Sequence, residues 1–82
     1  MICVDASVAA KWVLSEPYSP QARALFHAAL AEEQEIVAPP FLPIEVTNIL
    51  RQRMRREPFL SLTLAREILS EFLTYTVALT SP

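Results

Sequence analysis

Ile2-Cys3-Val4-Asp5-Ala6-Ser7 joins a short apolar run to an acid and then a hydroxyl. The run reads as a buried strand, and the residues after it as the start of a helix. In an open parallel sheet, chemistry collects in the crevice outside the carboxyl ends of the strands. Asp5, the only aspartate of the chain, is expected at that edge, as a helix cap or as part of a site.

The rest of the chain supports an α/β reading. Ser7 is expected to cap a short helix, Val8 to Ser15, which Pro17 ends because the residue before proline avoids the α region. Ser19-Pro20 reads as a cap followed by proline at the first helical position. Ala22, Leu25, Phe26, Ala29 and Leu30 then form one apolar stripe of a helix reaching Glu33. Glu35 to Ala38 is a second short strand, closed by Pro39-Pro40. A third helix is predicted from Leu42 to Arg56, with Leu42, Val46, Ile49, Leu50 and the stem of Arg53 facing the core. Glu45, Asn48 and Gln52 share another of its faces. After Pro58, Ser61 caps a fourth helix whose stripe is Ala65, Ile68, Leu69, Phe72 and Leu73, and Thr74 to Leu79 is a third strand. The order β-α-α-β-α-α-β predicts a small parallel sheet flanked by helices. One more crossover unit is expected beyond it, so Thr80-Ser81-Pro82 reads as a truncated end of a single domain, residues 1–82.

Composition narrows the function classes. A chain of 82 residues has a thin core, yet 52% of its residues are hydrophobic, so apolar surface is expected to meet a partner subunit or a missing part of the fold. The formal net charge of -2 gives no global basic field, and any polyanion contact must be local. The single cysteine, Cys3, reads as a small buried hydrophobe, excludes an internal disulfide framework and fits a reducing cytoplasm. Without a leader or a long apolar run, the chain reads as soluble, cytoplasmic and not membrane-bound.

Asp5 and Glu45 are the leading chemical pair. With adjacent parallel strands, the end of strand one and the first turn of the helix after strand two project over the same edge. Two facing carboxylates favour a shared proton or a cation between them. Mg²⁺, held by one or two carboxylates plus waters and substrate phosphate, suits such a pair. The structural alternatives are a cap for Asp5 and a helix-dipole partner for Glu45. Ser7 can orient Asp5, and Asn48 lies one turn beyond Glu45. Arg51, Arg53, Arg55 and Arg56 suit either the negative end of the helix dipole or an RNA contact. Trp12 reads as a core or interface anchor, and His27 as a surface residue.

Val4-Asp5-Ala6-Ser7-Val8-Ala9-Ala10-Lys11-Trp12, together with Pro43-Ile44-Glu45-Val46-Thr47-Asn48-Ile49-Leu50-Arg51, resembles the PIN domain family and, within it, the VapC toxins of toxin–antitoxin pairs. The resemblance implies a three-layer PIN-like fold and a Mg²⁺- or Mn²⁺-dependent endoribonuclease that hydrolyses RNA phosphodiesters. Asp5 and Glu45 match its metal-binding, catalytic acids, and Ser7 and Asn48 its supporting polar positions. It also implies a homodimer and a VapB-like antitoxin partner. The family carries one or two further aspartates beyond the third strand, and this sequence has none after Asp5. The alternative is therefore a catalytically incomplete module that only dimerises or binds the antitoxin.

Overall fold

The structure, a computed structural model, describes residues 1–79. The expected element order is present: β1 (Ile2–Cys3), α1 (Ala6–Val13), α2 (Ser19–Ala31), β2 (Ile36–Ala38), α3 (Leu42–Arg56), α4 (Leu62–Phe72) and β3 (Ala78–Leu79). The strands form one parallel sheet in the order β1-β2-β3. Ile2 pairs with Ile36 and Cys3 with Val37, while Val37 pairs with Ala78. The protein is thus an α/β domain with four helices on a small parallel sheet. The expectation about Thr80-Ser81-Pro82 lies outside the described residues. Among the described residues, no helix is long and apolar enough to cross a membrane.

Side chains alternate between the two faces of a strand, so Ile2 and Val4 share a face with Ile36 and Ala38. That face carries the main core, which adds Ala6, Ala9, Trp12, Phe26, Leu42, Val46 and Phe72 from the helices. α1 is the hub, packing against α2, α3 and α4. A smaller cluster of Ala10, Leu14 and Leu50 extends the α1–α3 contact. Arg53 locks the far end of that contact, reaching Glu16 at 2.9 Å and Glu57 at 3.0 Å. The expectation that it buries only its stem therefore misses its paired head. Cys3 is a second correction: it is exposed, because it lies on the face opposite the main core.

The helix ends differ from expectation for local reasons. α1 starts at Ala6, two residues early, because Asp5 and not Ser7 is its N-cap. It ends at Val13, since Leu14 is already extended (φ -109°, ψ 147°). Ser19 is not a cap either. It is the first residue of α2, behind a left-handed Tyr18 (φ 69°), and its buried hydroxyl donates to the Leu14 carbonyl at 2.7 Å and accepts from the Glu16 N–H at 3.0 Å. A side chain closing the turn behind it replaces one that would cap the helix ahead. α2 stops at Ala31 in a Schellman arrangement: Gln34 N–H donates to Ala29 O and Glu33 N–H to Leu30 O, with Glu33 left-handed at φ 56°. The chain has no glycine, so both left-handed positions carry side chains.

α3 matches its predicted bounds, with Leu42, Val46 and Leu50 buried. Ser61 caps α4 as expected, accepting from Leu64 N–H at 3.1 Å. The apolar stripes are narrower than the periodicity implies. Leu25 and Leu30 of α2, and Leu73 after α4, are exposed, and so are Phe41, Ile44 and Phe59. Among the described residues the third strand pairs over Ala78–Leu79 and not from Thr74, since Leu73 to Tyr75 close α4 through turns onto Leu69, Glu71 and Phe72 carbonyls.

Candidate functional site

The site is built on the carboxyl edge of β1 and β2. Val4 N–H donates to Val37 O at 2.9 Å, which holds the end of β1 against β2. Asp5 follows directly, in an extended conformation (φ -113°, ψ 179°) suited to an N-cap. Its Oδ1 accepts the Val8 N–H at 3.1 Å and the Ser7 hydroxyl at 2.8 Å. Oδ2 takes neither bond. The same aspartate therefore caps α1 and presents an exposed carboxylate beyond the strand. Ser7 does the orienting expected of it, and the N-cap role expected of Ser7 falls to Asp5. The Val8 N–H is a second anchor, visible in the sequence only through the capping alternative for Asp5.

The two hydrogen bonds, the Val8 N–H foremost, hold the Asp5 carboxyl below its ordinary 3.8. A carboxylate whose folded pKa is depressed adds stability above its unfolded pKa, and that stability is lost as pH falls through the folded value. Asp5→Asn keeps a cap but does not titrate. The expected result is that the gap in urea midpoint between wild type and Asp5→Asn is constant near neutrality and shifts against wild type below about pH 4. A gap that stays constant down to the acid transition contradicts the capping account.

Glu45 lies in the first turn of α3, which follows β2 through Pro39 and Pro40. Leu42 N–H donates to Pro39 O at 3.1 Å and Glu45 N–H to Phe41 O at 2.9 Å, so the helix starts immediately past the strand. Among the described residues no side chain caps α3, and Glu45 is the only acid in its first turn. Because β1 and β2 are parallel neighbours, Asp5 and Glu45 belong to the same sheet edge, and the helices that carry them pack together. Glu45 is exposed. Among the described residues, no third His, Cys, Asp or Glu completes a group of three around a common point.

Asn48 is exposed one turn beyond Glu45. It lines two adjoining shallow grooves, one with Arg51, Gln52 and Arg55, the other with Pro43, Ile44, Thr47 and Arg51. Lys11 donates to the Ser7 carbonyl at 3.4 Å, placing a cation on the first turns of α1. Trp12 is core, 1% exposed, and His27 is a surface residue that touches the edge of Phe26.

Asp5, Glu45, Ser7 and Asn48 supply carboxylate, hydroxyl and amide oxygens. Such hard donors suit Mg²⁺ or Mn²⁺ and not a thiophilic metal. Compared with protein-family models, with curated proteins and with solved structures, the chain gives no match.

Proposed function

We propose that this domain is a PIN-like, VapC-type endoribonuclease that uses Mg²⁺, or Mn²⁺, to hydrolyse RNA phosphodiesters. What supports the reading is the position of Asp5 directly after β1 and of Glu45 in the first turn of the helix that follows its parallel neighbour β2, with Ser7 hydrogen-bonded to Asp5. Asp5 and Glu45 would hold the cation, and Asn48 would support it from the next turn of α3. A divalent cation held there would supply Lewis acidity for a phosphoryl oxygen and a more acidic bound water. The chain's own part is to keep Asp5 ionised through the Val8 N–H and Ser7 hydroxyl, and to hold its exposed carboxylate at the end of β1. The three-layer PIN arrangement, a cytoplasmic setting, a homodimer and a VapB-like antitoxin belong to the same proposal.

The test uses the purified 82-residue chain and a labelled single-stranded RNA. The expected result is cleavage with Mg²⁺ that chelation by EDTA abolishes. Cleavage that is equal in EDTA overturns the metal-dependent reading. No cleavage with either Mg²⁺ or Mn²⁺ overturns the claim that this chain is an enzyme. It then leaves the module that dimerises or binds an antitoxin, a reading supported by the exposed Phe41, Ile44, Leu62 and Leu73.

A further inference from the structure

α3 carries arginines of two kinds. Arg53 points inward, is 19% exposed, and is taken up by Glu16 and Glu57. Arg51 and Arg55 are exposed, one turn apart, and among the described residues neither forms an ion pair. They line a groove of about 280 Å³ with the side-chain amides of Asn48 and Gln52. That groove runs into a second one, which shares Asn48 and Arg51 and adds apolar Pro43 and Ile44. The two grooves together track α3 from its basic end to the turn that holds Glu45, the helix's only acid.

We infer that this face of α3 is a binding track for single-stranded RNA. Arg51 and Arg55 take successive phosphates, and Ile44, 60% exposed, offers an apolar surface to a base. The inference rests on the nuclease reading for its choice of RNA, and it assigns the substrate-binding residues that reading leaves open. Charge complementarity supports it. The chain is net negative, and two exposed guanidiniums with no ion pair among the described residues, set in one groove beside two amides, make a local positive patch suited to phosphate oxygens. The helix dipole alone explains basic residues at a C-terminus. It does not explain their alignment with Asn48 along two adjoining grooves that reach the first turn of α3.

The experiment measures fluorescence anisotropy of a fluorescein-labelled, mixed-sequence single-stranded RNA with the full chain in EDTA, so that cleavage plays no part. Wild type is expected to bind, and Arg51→Ala/Arg55→Ala to bind roughly tenfold more weakly. The slope of log affinity against log salt is expected to fall by about 1.4, from about 0.7 per lost phosphate contact. Arg66→Ala, an exposed arginine on α4, is expected to bind as wild type. The Arg51→Lys/Arg55→Lys variant keeps the charge, and is expected to retain most of the binding. The inference is overturned if wild type fails to bind, or if the alanine variant binds as wild type. It is also overturned if polyglutamate displaces the RNA as well as unlabelled RNA does, which would mark the face as a site for an acidic protein. A chain that binds RNA through Arg51 and Arg55 yet never cleaves it would leave this inference standing and remove the nuclease reading.

Discussion

Asp5→Asn is expected to lower Mg²⁺-dependent RNA cleavage by roughly a hundredfold or more, while leaving the fold intact. The structure makes asparagine the informative choice. Asp5 holds two jobs, the α1 cap and the proposed metal ligand. Asn caps a helix about as well as Asp, and its side-chain oxygen can still accept from Val8 N–H and the Ser7 hydroxyl. What is lost is the negative charge. Alanine would remove both functions, and about 1 kcal/mol of capping would confuse the result. Glu45→Gln is the matching variant on α3, and because Glu45 is exposed it disturbs no packing. Initial cleavage rates, with urea midpoints taken alongside, check both. A variant that folds and still cleaves at the wild-type rate removes that acid from the site, and two such variants remove the nuclease proposal.

Trp12→Ala is expected to cost about 3–5 kcal/mol, a large share of the 5–15 kcal/mol typical of a whole domain. Trp12 is 1% exposed. It stacks on Tyr75 with centroids 5.0 Å apart and meets Phe26 at 5.2 Å, while Phe26 and Tyr75 touch at 4.5 Å. Its indole N–H donates to Ala22 O at 3.1 Å. One side chain on α1 therefore fastens α2 and the segment leading to β3. At an urea dependence of about 1 kcal/mol/M, the variant loses some 3 M of midpoint or has no folded baseline. Trp12→Phe keeps most of the burial and gives up the N–H donor, so it is expected to fall between the two, at a cost of about 1–3 kcal/mol. Far-UV circular dichroism against urea decides the matter. A Trp12→Ala midpoint within about 1 kcal/mol of wild type would show that this aromatic cluster is not the keystone of the core.

Much of this was legible before any coordinates. Prolines 17, 39, 40 and 58 punctuate the chain, and the 3.6-residue spacing on α3 gave its bounds and its buried face. The parallel sheet followed from alternation of strands and helices. Asp5 at the end of its strand was readable as cap or ligand, and the structure shows the cap. What sequence could not resolve is competition among hydroxyls. Ser7 and Ser19 are both good caps by type, and each turned elsewhere, Ser7 to a carboxylate and Ser19 to a carbonyl. Periodicity also overstates burial in a small domain. With so few elements, Leu25, Leu30 and Leu73 have the right phase and nothing to pack beneath. The sorting of the arginines was hidden for a similar reason, since Arg53 is set apart from Arg51 and Arg55 by Glu57, four residues on, and by Glu16, which approaches from 37 positions away.

The exposed thiol on β1 bears on bench practice. Cys3 is the chain's only cysteine, so any disulfide between copies of this chain joins two molecules through it. Such a covalent pair would run as a doublet on a non-reducing gel and mimic a native assembly on a sizing column. Hydrodynamic mass is best compared with and without reductant, or read on Cys3→Ser, before any dimer is ascribed to the folded surface.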